Sequence, residues 1–283
     1  MKLYILPTKE YKPPKIVAFP EHSIGFNVET QFLKYLLESN ILTTNQKADW
    51  HYLPIMWSYW LLSNNYGRDN RKEMQDYLNK IIIDDKKTFT VSEADNEPGF
   101  EIGETLVFSG NQSVGYHGHK WIPVPIITLP HQLPTVLPEK QYLSNFVGTI
   151  KPWKTRIAMV NLFKNRNDIK IIQNKKGEKL FVDTILESYS TLCPRGSALG
   201  SYRFYESMQL GVVPIMISDY DFRPFPDKID WESCSYFTDD VNELPSMLDS
   251  MDKENLLNKG KKAKEVWNEL FNKWPEYVLE ELP

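Results

Sequence analysis

The sequence predicts an α/β protein built from two Rossmann-like halves with parallel sheets. Three observations predict it. Short apolar runs of strand type alternate with segments of helical periodicity, the alternation runs once and then restarts, and a proline-rich stretch separates the two runs. Strands separated by helices argue for parallel sheets covered on both faces. The separating stretch is "WIPVPIITLPHQLPTVLPEK", with Pro123, Pro125, Pro130, Pro134 and Pro138. Proline at that density suits an extended connector, because each ring fixes φ and removes a backbone donor. The expected domains are therefore 1–138 and 139–261, with a tail helix over 262–283 that can pack back on the first. Two such halves imply a cleft, with ligands beyond the carboxyl ends of the strands.

In the first half, "KLYIL" reads as a strand. "VETQFLKYLLESN" places Phe32, Leu33, Leu36 and Leu37 at helical spacing. "ADWHYLPIM" is a strand, "MWSYWLLSN" begins a helix, and "RKEMQDYLNKIII" is a helix. "KTFTVSEAD" and "ETLVFSG" are strands. In the second half, "YLSNFVG", "IKIIQ", "STLCP", "VVPIMIS" and "CSYFT" read as strands. "KTRIAMVNLFKN", "FVDTILESY", "YRFYESMQL", "VNELPSMLDSM" and the tail from Lys253 read as helices. Gly211 stands where a helix C-terminus prefers glycine.

The chain has 283 residues, 41% hydrophobic and 25% charged, which is ample for a core. Its net charge is −4, and no basic stripe is visible, so nucleic acid is not an expected partner. Two cysteines, Cys193 and Cys234, make no disulfide framework, and no Cys/His cluster suggests zinc. The apolar core of "MKLYILPTKE" is too short for a signal peptide or a membrane span. The chain is expected to be soluble and cytoplasmic, without membrane insertion.

The densest chemistry lies in "CPRGSALGSYRFYESMQLGVVPIMIS". A strand ends at Pro194. Arg195, Gly196 and Gly200 form a turn, and Ser201 stands at the N-cap of the next helix. Strand, glycine turn and helix N-terminus together offer free amides and the positive end of a helix dipole to an anion. Arg195 and Arg203 flank the turn, and arginine can fork onto phosphate oxygens. Glu206, one turn on, suits two vicinal hydroxyls, as in a ribose. The constellation fits a nucleoside diphosphate, with Arg195, Gly200, Ser201, Arg203 and Glu206 as donor-binding residues.

The run "LCPRGSALGSYRFYESMQLGVVPIMISDYDFRPFPDKIDWESCSYF" resembles the exostosin-like glycosyltransferases, glycosyltransferase family 47. It carries that family's Cys-Pro-Arg-Gly turn, its Gly-Ser-x-Arg-Phe-x-Glu, its Gly-x-x-Pro strand, its Pro-Phe element and its Ile-Asp-Trp. "ETQFLKYLLESNILTTNQKADWHYLPIMWS" is similar to the family's opening helix and following strand. "NNYGRDN" resembles its Gly-Arg-Asp-His, with Asn70 in place of the histidine. "NFVGTIKPWKTR" resembles its Phe-x-Gly strand followed by an arginine, Arg156.

The resemblance implies a GT-B fold of two facing Rossmann-like domains and an inverting transfer from a UDP-sugar, the co-substrate, to a glycan acceptor. UDP-xylose is the favoured donor among several. Arg156 joins the donor-binding set on this ground. An inverting displacement needs a base for the acceptor hydroxyl and positive charge on the leaving diphosphate. Candidate bases are Asp95 and Glu93, at the end of "FTVSEAD", and Asp69, with His117 and His119 as further choices. Asp219-Tyr220-Asp221 has the form of a metal-binding Asp-x-Asp. Here it follows a buried strand within the exostosin-like pattern, so no metal site and no required cofactor are expected. A catalytically silent partner or carbohydrate-binding protein of the same fold is the alternative. A dehydrogenase is disfavoured, since no Gly-x-Gly-x-x-Gly follows an early strand.

Overall fold

A computed structural model describes residues 1–8, 27–94, 99–112, 121–173 and 177–283. The chain divides into two compact units. Among the described residues, the first takes those up to Ile126 together with Pro275–Pro283, and the second takes Ile127–Trp274.

The first unit is one parallel sheet whose strands lie in chain order: β1 (Leu3–Ile5), β2 (Trp50–Tyr52), β3 (Thr88–Ser92), β4 (Leu106–Ser109) and β5 (Trp121–Pro123). A parallel bridge from Leu3 to Leu42 extends the sheet outside β1. Helices α1 (Asn27–Glu38), α2 (Trp57–Ser63) and α3 (Arg71–Ile81) complete the unit. Every residue of β3 and β4 is buried, the mark of a sheet covered on both faces. Phe32 of α1 packs edge-on to Tyr52 and Phe89, at 5.2 and 5.9 Å between ring centres. A separate cluster joins Trp57 and Trp60 to Phe100, Met74 and Leu78. Fully burying one such large apolar side chain contributes about 1.5–3 kcal/mol.

The proline-rich stretch begins differently from expectation. Its first three residues pair with β4 as an edge strand, Trp121 opposite Val107 and Pro123 opposite Ser109. Proline is tolerated there because an edge strand has a side with no ladder to donate to.

The second unit holds β6 (Ser144–Gly148), β7 (Ile169–Gln173), β8 (Ser190–Pro194), β9 (Val213–Ile217) and β10 (Tyr236–Thr238), with helices α4 (Lys154–Phe163), α5 (Glu178–Leu186), α6 (Tyr202–Gln209), α7 (Leu244–Asp249) and, up to Trp274, α8 (Lys253–Glu280). β6 pairs with β7, and β9 lies between β8 and β10, all parallel. The two ladders meet along β6 and β8. A Tyr142–Ser188 bridge and the Ser190 amide on the Leu143 carbonyl (3.0 Å) tie them. The Asn145 side chain then makes the next link, donating to the Ser190 carbonyl at 3.0 Å and the Thr191 hydroxyl at 3.1 Å. The order is thus β7-β6-β8-β9-β10, and chain direction across the sheet reverses between β6 and β8. That reversal is a topological switch point, where ligands of parallel α/β sheets bind beyond the strand ends.

Gly211 closes α6. It takes φ +73°, its amide bonds the Met208 carbonyl, and the Val212 amide bonds the Ser207 carbonyl. Both bonds of a glycine C-terminal cap are present. Gly260 of α8 lies against this turn, so close that a Cβ on it would sit 2.4 Å from the Gly211 carbonyl oxygen.

Candidate functional site

The ends of β6 and β8 and the starts of α4 and α6 converge at the switch point of the second unit. Arg203, in the first turn of α6, lies over the Phe146 ring at 4.6 Å and the Phe181 ring at 5.2 Å. Its Nη2 donates to the Val147 carbonyl. Its Nη1 is buried with no hydrogen-bond partner. Burial lowers its pKa, against the opposing pull of Cys193 and Glu206.

Arg156, in the first turn of α4, packs toward the same Phe146 ring at 5.9 Å. It donates to two carbonyls, Arg195 at 3.2 Å and Thr149 at 2.8 Å. Its pKa is lowered to about 10 by burial first and by Arg203 second. Two guanidiniums are therefore held within electrostatic reach, and among the described residues neither is in an ion pair. Their space comes from glycine. A Cβ on Gly148 would stand 2.9 Å from Arg203 Nη2, and one on Gly196 would stand 2.9 Å from Arg156 Nη2. Gly196 thus leaves room for the close approach of a cation. Gly200 is buried in the same loop, and the Ser218 hydroxyl ties that loop through the Leu199 carbonyl at 3.1 Å.

Arg195 stands apart from this pair. It grips Asp219 with two bonds, Nε to Oδ1 at 3.0 Å and Nη2 to Oδ2 at 2.8 Å, and its Nη1 reaches the Gly196 carbonyl. Its fork is occupied by a carboxylate, where the sequence pointed to a phosphate. Asp221 is gripped likewise by Arg223, at 2.6–3.0 Å. Both acids of the Asp-Tyr-Asp run are thus neutralised by arginine. Ser201 occupies the N-cap position of α6 in extended backbone, but its hydroxyl makes no capping bond. Its carbonyl accepts from the Phe204 amide instead.

Glu206 is buried on α6, and its Oε1 lies 3.3 Å from His131 Nε2. The other ring nitrogen of His131 is 3.1 Å from Glu178 Oε1, at the start of α5. Cys193, below Arg203 at the end of β8, is 1% exposed, and burial pushes its thiol up to about 12. It is no nucleophile at neutral pH.

The candidate bases belong to the first unit. Glu93 is buried, with Oε2 accepting from the Val28 amide at 2.9 Å. Asp69 is exposed in the bend before α3. Asp95, His117 and His119 lie outside the described residues. Asn70 adopts φ +53° and donates to Asn64 Oδ1 at 2.8 Å, a turn role in a conformation asparagine tolerates.

Sequence reasoning passed over Glu29, His131, Phe146, Phe181 and Gly148. Glu29 is fully buried and accepts from the Ser58 amide and hydroxyl and the Glu93 amide at 2.8–3.3 Å. Burial raises its pKa to about 7 in spite of those bonds. The strand pattern "NFVG" held a signal for Phe146 and Gly148. Nothing local marked His131, whose partners are 47 and more residues away.

Residues 1–251 match the family model of the Exostosin GT47 domain. Exostosin-1 of Drosophila melanogaster is 29% identical over 110 residues, which is 38% of this chain and 14% of that protein. The match spans about a third or less of each of the first exostosins it reaches. Two plant proteins align more fully. The "probable beta-1,4-xylosyltransferase IRX10" of Arabidopsis thaliana is 26% identical, covering 83% of this chain and 67% of that one. A "probable glucuronosyltransferase" of Oryza sativa subsp. japonica is 27% identical, covering 92% and 73%.

Proposed function

The chain belongs to the exostosin GT47 domain family, and from that premise we propose that it is an inverting glycosyltransferase using a UDP-sugar donor, xylose favoured, and a glycan hydroxyl as acceptor. One observation carries the donor reading. Arg156 and Arg203 are brought together and desolvated at the switch point of a parallel sheet, in no ion pair among the described residues, with only the more distant pull of Glu206 on Arg203 to offset them. Gathering like charges in a desolvated place costs free energy unless an anion joins them. A diphosphate supplies that charge. In a displacement at the anomeric carbon, the same guanidiniums stabilise the charge developing on the departing UDP. Arg203 Nη1 carries N–H donors that no group among the described residues uses, available to a phosphate oxygen.

Glu206 holds the ribose hydroxyls. Arg195, already bonded to Asp219, shapes the loop and adds positive potential without a direct fork. The base that takes the acceptor proton is Asp95. No metal is required, since Asp219 and Asp221 already have arginine partners. Xylose draws its support from the plant relative named for xylosyl transfer.

The test is UDP release from a panel of UDP-sugars, with and without sugar acceptors and with EDTA. Slow hydrolysis of UDP-xylose, unaffected by EDTA, is the expected result. Loss of activity on chelation would sink the metal-free mechanism. UDP binding without turnover of any donor would favour a silent partner of the same fold.

A further inference from the structure

We propose that His131 is the positioning residue of the donor site: it spans Glu206 and Glu178 and so fixes the Glu206 carboxylate that receives the ribose. The proposal rests on the donor reading above.

The geometry is specific. His131 comes from the proline-rich stretch, yet its side chain is only 1% exposed. Its backbone amide donates to Gln209 Oε1 at 2.9 Å, and Gln209 Nε2 returns a bond to the Leu129 carbonyl at 3.2 Å. Gln209 lies three residues beyond Glu206 on α6, so the segment is strapped to the helix that carries the acid. The imidazole then faces a carboxylate at each nitrogen, hydrogen-bonded to Glu178 of α5 at 3.1 Å and in ion-pair contact with Glu206 of α6 at 3.3 Å. Phe181 of α5 packs beside it, with ring centres 5.6 Å apart. Arg203 also lies over the Phe181 ring and acts on Glu206 from its own helix.

Only the imidazolium can donate from both nitrogens. Burial opposes that charge, but the two carboxylates outweigh it and the His131 pKa is raised. The doubly donating form is therefore favoured below the raised pKa and lost as pH rises through it. Without it, one of the two carboxylates, buried Glu206 or the more exposed Glu178, faces an unprotonated nitrogen. Glu206 then turns away from the position that a ribose diol needs.

The experiment compares the affinity of the intact chain for UDP and for the analogue lacking both ribose hydroxyls. In wild type, UDP binds more tightly, and that preference shrinks as pH rises. In His131→Leu, UDP binding weakens by about tenfold, the loss of a charged hydrogen-bond contribution, while binding of the analogue is unchanged. His131→Gln keeps one donor and no titration, so it restores part of the preference and makes it independent of pH. Equal loss for both nucleotides in His131→Leu, or no loss for either, overturns the proposal. A wild-type preference that survives His131→Leu overturns the proposal and leaves the donor reading standing. No UDP binding by wild type overturns both.

Discussion

At the scale of single residues, the switch point is a place where local chemistry conflicts with stability. Arg203 keeps a buried guanidinium nitrogen without a partner. Its rings and one carbonyl repay part of the desolvation, since cation–π contact with desolvated arginine is worth about 2 kcal/mol. Replacing Arg203 with methionine keeps the length and packing and removes the charge. We expect Arg203→Met to unfold in urea within about 1 kcal/mol of wild type, while UDP affinity falls at least about tenfold. A large loss of stability would show that the guanidinium serves the fold rather than the ligand. Arg203 and Glu206 were legible in the sequence because strand, turn and helix start lie within a few residues of one another. The pairing of Arg195 with Asp219 was not legible, because the two are 24 residues apart and meet only when β8 and β9 align. His131 was hidden for the same reason, and Glu29 because an acid in a first helical turn reads as a dipole partner.

At the scale of elements, close packing decides against propensity. Gly260 lies within a 28-residue helix, where alanine is intrinsically better by about 1 kcal/mol. A Cβ there would meet the Gly211 carbonyl oxygen at 2.4 Å, and both partners are backbone. Gly211 cannot yield easily, since it holds φ +73° in the cap of α6. Forcing apart well-packed elements costs about 1–3 kcal/mol, so Gly260→Ala should destabilise the protein, read as a lower urea midpoint. An unchanged or raised midpoint would show that α8 has slack at this contact. Among the described residues, the alternation of apolar runs and helical spacing located every α-helix and every strand but β5. β5 was missed because proline masks a strand wherever pairing is one-sided. The Gly211 cap was legible; its contact with Gly260 was not.

At the scale of the whole molecule, buried ionisable groups tilt stability with pH. Glu29 goes from an ordinary value near 4.5 to about 7 in the folded chain. A raised carboxyl pKa means the folded state holds its proton longer. The contribution is complete below about pH 4.5 and is lost as pH rises toward 7. Its size is on the order of 3 kcal/mol. Subtracting the unfolding free energies of Glu29→Gln from those of wild type should give a curve that falls across that window and is flat above it. A curve flat throughout would show that the buried bonds to Ser58 and Glu93 already hold the charged form. Asp168 tilts the other way. Its partner Arg166 keeps its pKa low, and that contribution fades as pH falls. The repeated alternation pointed to two α/β halves meeting at 138/139, and the chain divides into two compact units at Ile126/Ile127. The charge each unit conceals was not legible, since burial is a property of the finished fold. The two guanidiniums, in no ion pair among the described residues, carry a consequence for turnover. Under the proposed donor reading, the negative charge that offsets them belongs to the nucleotide and not to the sugar, so the spent half of the donor is the half such a site retains. On that reading, departure of UDP is expected to set the pace of repeated cycles, read as inhibition by added UDP. Inorganic phosphate or pyrophosphate in a buffer competes with the substrate for the same pair of arginines.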